Sequence, residues 1–180
     1  MNELEKKPYS SFQVAMHWLV ALLVFSMLGM GFFLEDLPSN IIGTGYMMHK
    51  STGLLILGLM VVRFISIQTR GRPGLPEHMS LPEIILVRTI QYGFYVLLIA
   101  MPLSGWIMSS AANHPPSFYG LITLPFPGIS PDTALTEYMG EWHERIAWTL
   151  IVFIVLHVSG TIKHYFWDKD GIWERMSPFK

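Results

Sequence analysis

Four long apolar runs divide the chain, and polar or turn-rich stretches separate them. Residues 14–34, VAMHWLVALLVFSMLGMGFFL, carry no charge, and at 1.5 Å per residue they cross a hydrocarbon core of roughly 30 Å. A second run, 46–67, has Lys50 near one end and Arg63 near the other, where long side chains snorkel to the interface. The third covers 84–110 with Pro102 inside it, which a transmembrane helix tolerates as a kink. The fourth covers 141–167. The pattern predicts an all-α fold, an integral membrane four-helix bundle, with 1–180 as a single transmembrane domain.

Lys6 and Lys7 precede the first run as in a signal peptide, but GFFLEDLPSN offers no small-residue cleavage site, so the reading is a retained helix. An even number of spans places both termini on one side. Lys6, Lys7, Arg70, Arg72, Lys169, Arg175 and Lys180 lie in the N-terminal segment, the second connection and the C-terminal tail, whereas connections 35–45 and 111–140 contain no Lys or Arg. Basic loops stay inside, so the termini are expected to be cytoplasmic. The long connection 111–140, rich in aromatics and proline, is expected to form an interface-hugging cap.

Charge and cysteine content narrow the chemistry. Twelve basic against 13 acidic residues give no field to attract nucleic acid. The absence of cysteine excludes disulfides, thiolate metal sites and thioether-linked haem. Metal chemistry must rest on His, Met or carboxylates.

The histidines then stand out. His143 and His157 are fourteen positions apart in one apolar run, within about 40° of four whole helical turns, so they share a face and sit roughly 21 Å apart along the axis. His17, early in the first run, matches the depth of His157, and His49, at the start of the second, matches His143. Ionisable groups at such depth are functional by default. Two imidazoles meeting across a bundle suit axial ligation of a b-type haem iron. Gly53, Gly140 and Gly160 lie about a turn from these histidines and offer space for a flat group, although close helix packing also uses glycine.

Rival uses exist for the same residues. Met47, Met48, Met108 and Met139 lie near the outer boundary, but with 12 methionines in the chain packing is the better reading for them. Histidines also serve metal or proton transport in haem-free transporters. His164, seven residues beyond His157, is either a group that binds or protonates a quinone or an interfacial polar residue. Arg63 and Arg88 are placed to neutralise haem propionates or orient a quinone carbonyl, with snorkelling as the plainer role. His78 and His114 fall in proline-containing connections, where a solvated or turn role is expected, and the six tryptophans read first as an interfacial belt.

The segments QVAMHWLVALLV, YMMHKSTGLLILGLMVVRF, YVLLIAMPLSGWIM, EWHERIAW and VLHVSGTIKHYFW, in this order and spacing, resemble the bacterial cytochrome b561 family over nearly the whole chain. The resemblance implies a bundle in the bacterial inner membrane holding two haem b groups, with His17, His49, His143 and His157 as the iron ligands. It also implies a superoxide:ubiquinone oxidoreductase: superoxide is oxidised to dioxygen near the outer His49/His143 pair, and ubiquinone is reduced near the inner His17/His157 pair. His164 matches the family's position beside quinone and is the expected catalytic group there, with Arg88 and Gln91 as neighbours. Similar sequences also act as cytochrome subunits of dehydrogenases or hydrogenases, which take electrons from a protein partner.

Overall fold

The computed structural model describes residues 9–179; Lys6, Lys7 and Lys180 lie outside them. Four long helices follow one another: α1 (Ser11–Phe33), α2 (Ile42–Arg70), α3 (Leu81–Ala111) and α4 (Thr133–Lys163). All four are long and apolar enough to cross a membrane. A two-residue pair of strands, β1 (Ser117–Phe118) and β2 (Ile122–Thr123), lies between α3 and α4, and α4 runs into a π-helical turn, His164–Asp168, before the short α5 (Ile172–Met176).

Each helix is longer than its apolar run, because lipid contact ends before backbone hydrogen bonding does. Local signals set the starts. Ser10 and Gln13 form a reciprocal capping box at α1, and Ser80 and Glu83 form another at α3, each satisfying otherwise orphaned N–H groups. Asp132 accepts from the Leu135 N–H at 3.0 Å and starts α4, eight residues before the apolar run begins. Pro102 lies within α3.

Sequence-adjacent helices approach closely, and α4 packs along α3 without comparable backbone approach to α1 or α2. In lipid such packing rests on surface fit and interhelical hydrogen bonds, since the solvent is as apolar as the core. The buried cluster of Val20, Val24, Ile56, Met60, Leu98 and Leu150 occupies the middle of the bundle. Outward-facing Leu22, Phe25, Ile65, Val96 and Val155 are exposed, as a lipid-facing surface requires.

The two ends differ. At one, Trp18 donates to the Met176 carbonyl at 2.7 Å, Arg175 donates to the Gly74 carbonyl at 2.6 Å, and Gln13 reaches the carbonyls of Ser66 and Gly71. The start of α1, the α2–α3 connection and the C-terminal segment therefore gather together. At the other end connection 112–132 folds over the bundle, as a cap should. Ser51, fully buried, donates to the Ser117 carbonyl at 2.9 Å and accepts from the Tyr119 N–H at 2.8 Å. Trp106 donates to the Leu124 carbonyl at 2.7 Å, and Lys50, instead of snorkelling freely, donates to the His114 carbonyl at 2.8 Å.

Candidate haem-ligating site

Helix register brings the four histidines together in two pairs. His49 of α2 meets His143 of α4 with ring centroids 6.3 Å apart and planes at 67°. His17 of α1 meets His157 of α4 with centroids 6.2 Å apart and planes at 68°. Leu150, midway between the two α4 histidines, is the only buried residue of that helix, so an apolar plug separates the pairs.

Their spacing fits a shared metal. Two imidazole nitrogens bound from opposite sides at about 2 Å each leave ring centroids on the order of 6 Å apart. Space is also present: His157 faces His17 and Phe94 yet remains exposed, because α4 keeps its backbone away from α1 and α2. A flat group has room there that a tightly packed bundle would deny it.

Second neighbours set the ring chemistry. His143 Nδ1 lies 3.1 Å from the Met101 carbonyl and 3.0 Å from Ser104 Oγ; Ser104 donates its own hydroxyl hydrogen to Met101. Nδ1–H therefore donates to two acceptors, which leaves the Nε2 lone pair for a metal. Its partner His49 has a buried Nδ1 with no hydrogen-bond partner among the described residues. Gly105 sits against the same ring: a Cβ there would lie 2.9 Å from His143 Cε1, closer than carbon atoms pack. A Cβ on Gly31 would lie 3.8 Å from His49 Cε1, in ordinary contact. Of the three glycines singled out from sequence, a Cβ on Gly53 would meet Met27 and Pro102, one on Gly140 the Met108 sulfur, and one on Gly160 nothing within 4 Å. The glycines beside these two rings are Gly31 and Gly105.

The other pair is set differently. Arg63 points inward, its Nη2 donating to His17 Nδ1 at 3.3 Å while Nη1 is buried without a partner among the described residues. Snorkelling does not describe it. A neutral ring accepting at Nδ1 carries its hydrogen on Nε2, so metal binding through Nε2 requires Arg63 to release the ring. A nearby anion would satisfy the guanidinium. Tyr9 joins this region: burial raises its phenol above the ordinary value, opposed by the positive charges of Arg63, Arg72 and Arg88. Arg88 donates to Gln91 Oε1 at 3.0 Å, a pairing along one helix face that leaves both residues partly buried.

His164 is buried at the start of the π-helical turn. Its Nδ1 lies 2.7 Å from Asp170 Oδ2 and 2.9 Å from Asp168 Oδ2. His78, expected only to line a turn, comes within 3.6 Å of the same Asp170 oxygen, whereas His114 lies exposed in the cap. Sequence reasoning missed Ser104, Gly105, Tyr9 and Asp170, and a histidine six residues before an aspartate carries no regular-helix signal.

A family model described as prokaryotic cytochrome b561 matches residues 8–179. The cytochrome b561 homolog 2 of Escherichia coli (strain K12) is 30% identical over 171 residues, 93% of this chain and 90% of that protein. The probable superoxide oxidase CybB of Yersinia pestis is 28% identical over 174 residues, 97% of this chain and 98% of its own. A cytochrome b561 homolog 1 of Escherichia coli (strain K12) shares 22% over 174 residues. With four membrane-length helices and a match over nearly its full length, the chain belongs to the prokaryotic cytochrome b561 family, membrane electron-transfer proteins whose cofactor is haem b.

Proposed function

We propose that the chain is a di-haem b superoxide:ubiquinone oxidoreductase of the bacterial inner membrane, with both termini cytoplasmic. The observation that carries the di-haem reading is the pair of matched imidazole spacings, 6.3 Å and 6.2 Å, at opposite ends of the bundle. His49 and His143 hold one group and His17 and His157 the other. When bound, haem b supplies reversible one-electron chemistry, which suits a one-electron donor and a two-electron acceptor taken in single steps.

The chain's own residues do the rest. Met101 and Ser104 fix the His143 tautomer, and Gly105 makes room for its ring. Arg63 supplies positive charge beside His17, where a propionate carboxylate would satisfy Nη1, and Arg88 with Gln91 offers donors further along α3. His164 faces the quinone as its proton donor. The choice of superoxide rests on similarity to the probable superoxide oxidase CybB, and the orientation on the basic residues at 70 and 72 and in the C-terminal tail.

Superoxide added to the purified haem-loaded protein is expected to reduce the haem spectrum and then a short-chain ubiquinone, above the uncatalysed background. No reduction above that background contradicts the substrate. A fully active isolated chain also argues against a role confined to anchoring a dehydrogenase partner.

A further inference from the structure

We propose that Asp170 is a positioning residue for proton delivery to the quinone, acting through His164; the inference rests on the reading of His164 as the quinone's proton donor.

The local geometry gives Asp170 this place. Residues 164–168 form a π-helical turn closed by the Lys169 N–H on the His164 carbonyl at 2.8 Å, and Lys169 and Gly171 take positive φ values of 51° and 77°. In a continuing α-helix, six residues rotate by about 240° beyond a full turn, which would carry Asp170 away from the ring. The turn and the left-handed Lys169 bring it back. Asp170 Oδ1 accepts from the Ile172 N–H at 3.1 Å, which fixes the carboxylate, and Oδ2 faces His164 Nδ1 at 2.7 Å. Its side chain is only 4% exposed. A buried carboxylate on Nδ1 orients the imidazole and fixes the hydrogen on Nδ1. In the proposed function Nε2 is the atom left to the quinone.

The surrounding charges single out Asp170 over Asp168. Asp168 shares its Oδ2 with Lys163 at 2.6 Å, and Lys163 also binds Glu83 of α3 at 2.9 Å. From the α2–α3 connection, His78 approaches Asp170 at 3.6 Å with its side chain 56% exposed, too far for a hydrogen bond. Asp170 is thus committed to His164, while Asp168 is largely committed to Lys163.

A quinone gains two electrons, one from each of two superoxide anions, which leave as dioxygen, and two protons to become the quinol. The proton for the nearer carbonyl oxygen leaves His164 Nε2 as the new O–H bond forms, and Nδ1–H stays on Asp170. Solvent supplies the proton for the far oxygen and restores the one on Nε2.

The test uses the haem-loaded protein, pre-reduced with dithionite, desalted and mixed with a short-chain ubiquinone across a pH series, with ferricyanide as an oxidant that takes no proton. Asp170→Asn keeps the oxygen that caps Ile172 but presents an amide to Nδ1. Reoxidation by quinone is expected to slow roughly tenfold or more and its pH profile to shift, with ferricyanide reoxidation unchanged. Asp170→Glu should restore part of the rate and the profile. If Asp170→Asn matches the wild type in rate and profile while His164→Ala is slow, the proposal falls and the quinone reading stands. If His164→Ala also matches the wild type, both fall. Slowing with no shift of profile, or equal slowing towards ferricyanide, assigns Asp170 a structural role and overturns the proposal. Should Asp170→Asn fail to assemble, Asp170→Ser, which also caps, carries the same readouts.

Discussion

The two histidine pairs have almost the same geometry, 6.3 Å and 67° against 6.2 Å and 68°, and opposite electrostatic surroundings. At one pair His143 donates to a carbonyl and a hydroxyl oxygen, which would make the imidazole a more basic ligand for a metal. At the other the Arg63 guanidinium lies beside His17; released from the ring but still nearby, it would favour the form of a bound group carrying one more electron. If both pairs hold haem as proposed, the ligands would be histidines at each end, and a difference in redox behaviour would come from their surroundings. In the proposed protein the His17/His157 end holds the higher potential, downhill for electrons entering at the His49/His143 end. Ring geometry makes the two pairs alike, and in the proposed function their neighbours would give electron flow a direction.

Removing a ligand breaks the comparison most severely. His143→Ala or His49→Ala should abolish one haem and leave the other, and His17→Ala or His157→Ala should do the reverse, as a pyridine haemochrome assay on each purified variant would show. Next is Gly105→Ala, whose new methyl collides with the His143 ring. Haem binding at that pair should weaken by about 10- to 100-fold with the second haem retained, measured by haem titration of the haem-depleted protein. A smaller effect is expected from Arg63→Gln. One midpoint should fall by on the order of 60 mV, a tenfold change in a one-electron equilibrium, while the other stays put in a potentiometric titration. Ser104→Ala is the mildest, because the Met101 carbonyl still accepts from His143. The opposite midpoint should rise by a few tens of mV, and equal shifts in both midpoints would deny the sites their separate identities.

Periodicity made the pairs legible. His143 and His157 share a face for purely helical reasons, and the apolar runs gave the depth at which His49 and His17 had to meet them. What stayed hidden depended on a third helix or on broken helical register. The contact of Ser104 and Gly105 with His143 requires the rotation of α3 about its axis, which Pro102 and a mostly apolar surface do not reveal. Arg63 near the end of a span reads as a snorkelling residue until its neighbours place His17 within reach. Asp170 reaches His164 only through the π-helical turn, whose sequence HYFWD continues a regular apolar pattern. The start of α4 was the exception: Asp132 before a helix is a readable cap, but hydropathy marks where lipid begins and not where hydrogen bonding does.

Haem stoichiometry on the purified wild-type chain tests the central claim most directly. A pyridine haemochrome assay with independent protein quantification, joined to a reduced-minus-oxidised spectrum, is expected to give two haem b per chain, both low-spin with two axial nitrogens. One haem per chain, or a high-spin signal from an open axial position, after expression with ample haem would contradict the assignment of four histidines to two matched sites.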